Sequence, residues 1–227
     1  MTPPSPSTGG ANTAFGRAVA RDLADLGVKH VVFSPGSRST PLILACEEEP
    51  RLQTIPVLDE RTAGFVALGL GKRRRLPTAL ICTSGSAVTH WFPAVVEADH
   101  SSTPLLLLSA DRPPELQDCA AGQTIDQVDL FGRFGRAFFQ APLPDQDKEA
   151  LPVLRKMLVE AYRATLGKDP GPVHLNFPFR EPLLSQEDDL PTIGPPPLSV
   201  NLTDLGLPPD ADTCGLLEHL GACRRLL

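Results

Sequence analysis

The stretch from Lys29 to Arg61, KHVVFSPGSRSTPLILACEEEPRLQTIPVLDER, decides the fold. Its apolar run Val31-Val32-Phe33 reads as the heart of a strand over 29–34, and the polar turn Ser34-Pro35-Gly36-Ser37-Arg38-Ser39-Thr40 follows. A short helix from about Pro41 to Glu48 comes next, and Gln53 to Leu58 alternates into a second strand. That strand ends at Asp59-Glu60, where another helix begins. Both turns therefore lie where successive strands of a parallel sheet end, and such sheets bind ligands outside those carboxyl ends.

Each turn carries a chemical group. The first aims backbone N–H groups, hydroxyls and the Arg38 guanidinium at one point, a setting suited to a carboxylate. The plainer reading is that Ser39 or Thr40 caps a helix with Pro41 in its first turn. In the second turn Glu60 is either a general acid/base or an ordinary complement to a helix dipole.

Working outward, helical spacing begins near Thr13 with Phe15, Val19, Leu23 and Leu26 on one side, and Gly27 stops it. The helix starting at Glu60 is expected to break at Gly69-Leu70-Gly71, with the basic run Lys72-Arg73-Arg74-Arg75 after it. Those glycines close a helix, so they do not form a phosphate-cradling loop. Thr78 to Cys82 is a buried strand, leading into Thr83-Ser84-Gly85-Ser86. There Gly85 permits close backbone approach, and Ser86 is placed to cap a helix over 87–98. His90 and Trp91 in that helix read as packing residues.

Pro104 to Ala110 is a fourth strand and runs into Asp111-Arg112, a second guanidinium at a strand end. The polar connection 121–127 has no periodicity, and long loops of that kind are often functional. A fifth strand near 136–140 precedes a helix with Leu151, Leu154, Leu158 and Tyr162 on one face, Pro152 falling within its first turn. Val173-His174-Leu175-Asn176 is a sixth strand, with His174 paired within the sheet or its flank. Six strands alternating with helices imply an α/β fold, a doubly wound, mostly parallel six-stranded sheet with helices on both faces.

The expected organisation is a disordered lead-in over 1–12, one α/β domain over 13–184, a Pro-rich linker over 185–211 and the first helix of a following domain over 212–227. That last helix has an apolar face with nothing in the chain to cover it, so the sequence reads as the front of a longer one. With 227 residues and a net charge of −6, the chain has material for a core and no basic face for nucleic acid. The five cysteines form no Cys-x-x-Cys pair, which fits a reducing cytoplasm, and no apolar stretch is long enough to span a bilayer.

Taken together, the run 34–42, Asp59-Glu60-Arg61, the run 83–88, Ser109-Ala110-Asp111-Arg112-Pro113-Pro114-Glu115-Leu116 and Gly122-Gln123-Thr124 resemble the N-terminal domain of the SEPHCHC synthases, thiamine-diphosphate enzymes of menaquinone biosynthesis. The resemblance spans about Asn12 to Leu184 and implies a pyrimidine-binding domain. It implies that Glu60 trades a proton with the aminopyrimidine of the cofactor, which Ser84 and Gly85 also contact, with Asp59 as its supporting neighbour and apolar Val57, Leu58 and Phe65 keeping the pocket dry. It further implies that Ser37, Arg38, Arg112 and Gln123 hold the acceptor isochorismate, to which a succinyl unit from 2-oxoglutarate is added. Magnesium and diphosphate would be held by a C-terminal Gly-Asp-Gly motif that does not occur here, so the chain itself supplies no metal ligand. The active site would form between subunits of a homodimer or homotetramer.

Three positions depart from the pattern: Gly122 where some relatives have Asn, His90 for a shorter amide and Ser86 for Thr. Two other classes stay open on sequence alone, another or split thiamine-diphosphate lyase or synthase, and a non-catalytic carboxylate-binding module.

Overall fold

The computed structural model describes residues 7–144 and 150–185, and the expected linker beyond Ser185 and the following helix lie outside the described residues. Fifteen elements alternate around one sheet: α1 (Thr8–Asp25), β1 (His30–Phe33), α2 (Thr40–Glu48), β2 (Gln53–Pro56), α3 (Glu60–Arg74), β3 (Thr78–Cys82), α4 (Ser86–Thr89), α5 (Phe92–His100), β4 (Leu105–Asp111), β5 (Ala137–Gln140), α6 (Ala150–Thr165) and β6 (Pro172–Pro178), with three short 3-10 turns between them. The six strands are all parallel, in the order β2-β1-β3-β4-β6-β5. Their carboxyl ends consequently share one edge.

Alternation along the strands builds two cores. Val31, Phe33, Ala79, Ile81, Leu106 and Leu108 point to the side covered by α1, α2 and α6. Val32, Leu80, Cys82, Leu105 and Leu107 point to the side covered by α3, α4 and α5. Strands buried on both faces need the near-continuous apolar runs that the sequence carries. The two sheet edges, β2 and β5, are only four residues long, and short edges offer little to an unwanted pairing partner.

Three expectations are corrected. Residues 8–12, assigned to a disordered lead-in, form the first turns of α1 and are mostly buried. Ser7 caps them by accepting from Gly10 N at 3.1 Å, worth about 1 kcal/mol. The Asn12 amide donates to the carbonyls of Arg180 and Pro182 at 2.9 and 3.0 Å, so a contact across the whole domain overrides the poor helix propensity of Gly9 and Gly10.

Secondly, α3 does not break at Gly69-Leu70-Gly71 but runs on to Arg74, taking most of the basic run into its last turn. A Cβ at Gly71 would stand 2.9 Å from the Pro104 carbonyl, so that glycine lets the helix pass the entry to β4. The helix ends one turn later at Arg75, in the left-handed region with φ 54°. The basic side chains do complement a helix C-terminus, though from within it.

Thirdly, the expected helix 87–98 is two pieces, α4 and α5, parted at His90-Trp91. Trp91 is buried in the core, but His90 is exposed and does not pack. Pro93, in the first turn of α5, lacks the N–H needed to continue the α4 hydrogen-bond ladder.

Candidate functional site

The strand order reverses beside β1: the chain leaves β1 for β2 on one side and returns to β3 on the other. Such a reversal opens a crevice between the carboxyl ends of β1 and β3. The two turns that leave those ends touch, because a Cβ on Gly36 would stand 2.5 Å from the Thr83 Cβ.

Glu60 is the first residue of α3 and half-buried. Asp59 is its N-cap, accepting from Thr62 N at 2.8 Å and from the Thr62 hydroxyl at 2.7 Å, and those bonds hold its carboxyl below the usual range. Asp59 thus supports Glu60 by fixing the helix start. The Cys82 thiol, at the end of β3, is pushed up by burial and further by the charge of Glu60. Among the described residues the expected dry pocket is not closed: Leu58 is 84% exposed and Phe65 46%. Their apolar surfaces face outward around Glu60.

Across the crevice the turn after β3 is locked to the long loop. The Ser84 hydroxyl donates to the Gln123 carbonyl at 3.1 Å and accepts from Arg112 Nη1, while Gln123 Nε2 donates to the Ser84 carbonyl at 3.2 Å. Arg112 Nη2 donates to the Gly122 carbonyl at 3.1 Å. Four of the predicted residues, Ser84, Gly85, Arg112 and Gln123, therefore form one cluster. The Ser84 hydroxyl is spent inside it and is not free for a ligand. Gly85 has φ +83°, and a Cβ there would approach Gln123 to 2.9 Å, so only glycine fits between the turn and the loop. The Gly85 N–H is also engaged, donating to Gln127 Oε1 at 2.8 Å. Ser86 makes no capping bond, the cap position belonging to Gly85.

Arg38 differs from its expectation as a free cation. It is only 5% exposed, donates from Nη1 to the Phe179 carbonyl at 2.8 Å and from Nη2 to Glu181 Oε1 at 2.7 Å, and leaves its buried Nε without a partner. Arg112 is held below the ordinary arginine range, first by burial and then by the charge of Arg38, with Glu181 and Asp111 pulling the other way. The two guanidiniums thus lie near enough for the charge of one to act on the other. Ser37 opens the 3-10 turn beside them and is exposed.

Behind this cluster lies a buried polar chain that the sequence reading did not assign. Asn176 Nδ2 donates to Asp111 Oδ2 at 2.7 Å and to Gln140 Oε1 at 3.1 Å, while its Oδ1 accepts from Ser109 Oγ and Gln127 Nε2, both at 2.7 Å. Since Ser109 gives its single proton to Asn176, it accepts from His174 Nε2 at 2.7 Å, which fixes the neutral Nε2–H tautomer. Burial pushes His174 down to about 3, and Phe131 and Phe138 flank its ring at 5.0 and 5.2 Å. Burial likewise raises Asp111, against bonds from Asn176, Arg112 N and Gln117. The signal for this chain was the pair of polar residues, His174 and Asn176, inside an otherwise apolar buried strand. Gln127 and Asp111 gave no comparable sign. A cleft of about 510 Å³ is lined by Arg112 together with Asp111, Gln117, Gln127, Gln140 and Leu143.

Among the described residues, no three His, Cys, Asp or Glu side chains come together as a metal site. No helix among them is long and apolar enough to cross a membrane.

Residues 13–130 match the family described as "Thiamine pyrophosphate enzyme, N-terminal TPP binding domain". The chain is 50% identical over 177 residues to a protein of Synechococcus sp., covering 78% of this chain and 30% of that relative. It is 49% identical over 177 residues to one of Microcystis aeruginosa, covering 78% and 31%, and 52% identical over 174 residues to one of Chloroflexus aurantiacus, covering 77% and 29%. All three are named 2-succinyl-5-enolpyruvyl-6-hydroxy-3-cyclohexene-1-carboxylate synthase. The chain spans about 30% of the length of the curated relatives it matches.

Proposed function

The chain belongs to the thiamine pyrophosphate enzymes, and on that footing we propose that it is the pyrimidine-binding part of a synthase that decarboxylates 2-oxoglutarate and adds the succinyl unit to isochorismate. Relatives at about half identity carry the name of that product. The observation that carries the reading is the common placement of Glu60 and of the Arg38 and Arg112 guanidiniums along one edge of a parallel sheet, where ligands of this fold class bind.

The residues fit one end of thiamine diphosphate. A half-buried carboxylate at a helix start, flanked by the outward-facing Leu58 and Phe65, offers a proton acceptor beside flat apolar surface, as an aminopyrimidine requires. Glu60 would take and return a proton at a ring nitrogen. The cofactor, when bound, supplies the carbon nucleophile and the electron sink. Magnesium and diphosphate would be held in a C-terminal domain, and a second subunit would close over Leu58 and Phe65 in a homodimer or homotetramer. Exclusion of water there would strengthen the carboxylate's interaction with the ring.

Isochorismate brings two carboxylates, and Ser37, Arg38, Arg112 and Gln123 would receive it. Arg112 contributes charge through a fork that is half exposed, while Ser84 and the Gly122 carbonyl hold that fork in place. The enzyme would work in the cytoplasm.

The test is product formation by the full-length enzyme with magnesium, thiamine diphosphate, 2-oxoglutarate and isochorismate. The proposal expects turnover from the full-length protein and none from the 227-residue chain alone. Use of pyruvate in place of 2-oxoglutarate would overturn the substrate assignment, and turnover by the short chain would overturn the division of labour between domains.

A further inference from the structure

Glu181 carries a role that the site described so far leaves open. Its backbone is fixed: the Asn12 amide donates to the carbonyls on either side, those of Arg180 and Pro182, and Arg38 donates to the Phe179 carbonyl two residues earlier. Its side chain is not fixed in the same way, being 71% exposed, yet it bonds Arg38 Nη2 at 2.7 Å. The contact is lopsided. The guanidinium is 5% exposed and anchored at Nη1, so the carboxylate is the partner that can leave. Its carboxylate can return to water as an incoming carboxylate takes its place on Arg38, whereas moving Arg38 would strand a buried cation.

The same carboxylate also acts on Arg112, whose charged form it favours while Arg38 disfavours it. One anion therefore offsets two neighbouring cations. From this geometry we propose that Glu181 is an internal stand-in for a substrate carboxylate: it pairs with the buried Arg38 guanidinium until the acceptor's carboxylate displaces it on binding. The exchange conserves charge, since one carboxylate replaces another at the same fork. A ligand lacking a carboxylate at that position gains nothing from displacing Glu181, so the residue sets specificity for an anionic acceptor as well as tempering its affinity. The inference rests on the proposal that this site receives isochorismate.

The experiment compares wild type, Glu181→Gln and Glu181→Ala in the full-length enzyme, reading isochorismate binding by calorimetry and the KM for isochorismate against kcat. Removing an exposed competitor worth about 1 kcal/mol should tighten binding and lower KM about fivefold in both variants, with kcat changed less than about twofold. Binding that is unchanged or weaker in both variants overturns the proposal, weaker binding meaning that Glu181 positions Arg38 instead. A wild type that neither binds nor consumes isochorismate sinks the functional reading and this inference together. A wild type that does both, with variants no tighter, sinks this inference alone.

Discussion

Lowering the pH should weaken the fold through His174, and the size of the effect follows from its surroundings. The ring is buried between Phe131 and Phe138 and held at about 3, against 6.5 for the free side chain. Because the folded-state value is depressed, the unfolded chain takes up a proton that the folded chain refuses. Stability is therefore fully present above pH 6.5 and is lost as the pH falls towards 3. At pH 5 the loss from this residue alone is about 2 kcal/mol relative to pH 7.5, from 1.36 kcal/mol per pH unit below the free value.

Asp22 works in the opposite sense. Burial raises it to about 6 despite the opposing Arg155, so the folded state keeps its proton, and its contribution falls as the pH rises from about 4 to 6. That term returns about 1 kcal/mol at pH 5, so the wild-type profile alone cannot be assigned to His174. The comparison with His174→Gln can be, because Asp22 cancels between the two proteins. Glutamine keeps a neutral donor towards Ser109 and does not titrate. Urea unfolding at pH 7.5 and 5.0 should show the variant less stable at the higher pH, through lost ring packing, but losing about 2 kcal/mol less than wild type on acidification. Equal losses in the two proteins would refute the buried, neutral assignment of His174.

Two further outcomes follow from the same edge of the sheet. Gln127→Leu strips the Gly85 N–H and Asn176 Oδ1 of a buried partner and should cost about 2 to 4 kcal/mol in denaturant unfolding, whereas a loss below about 0.5 kcal/mol would mean that the polar chain does not hold the Ser84-Gly85 turn. Gly122→Asn meets no heavy atom within 4 Å of the new Cβ, so stability should stay within about 0.5 kcal/mol. The restored amide should also lower the KM for isochorismate about threefold in the full-length enzyme, and an unchanged or higher KM would remove residue 122 from the acceptor site.

The layering was legible because each strand's face is written into its own residues. Val31 and Phe33 against Val32, or Ala79 and Ile81 against Leu80 and Cys82, assign both cores without reference to anything distant. Boundaries set by distant contacts were not legible in that way. Thr8 begins a helix because Asn12 reaches residues 180 and 182, and Gly71 continues one because Pro104 stands beside it. Neither local propensity nor turn chemistry contains that information.

The site divides along the same line. Glu60, Arg38 and Arg112 stood out as charged groups at strand ends, and the charge of Arg38 acts on Arg112. Which of their bonds are already spent could not be read from the chain. Arg38 is committed to Phe179 and Glu181, residues more than 140 positions away, and the Ser84 hydroxyl to Gln123 and Arg112. Leu58 and Phe65 carried the right apolar character for a dry pocket, but among the described residues they face outward.

The most direct test of the account is Glu60→Gln in the full-length enzyme, with turnover and isochorismate binding measured on the same preparation. Glutamine keeps the shape and the helix start but cannot accept a proton, so turnover should fall by about a hundredfold or more while isochorismate binds within about twofold of wild type. Turnover within about tenfold of wild type would contradict the assignment of Glu60 as the group that moves the proton.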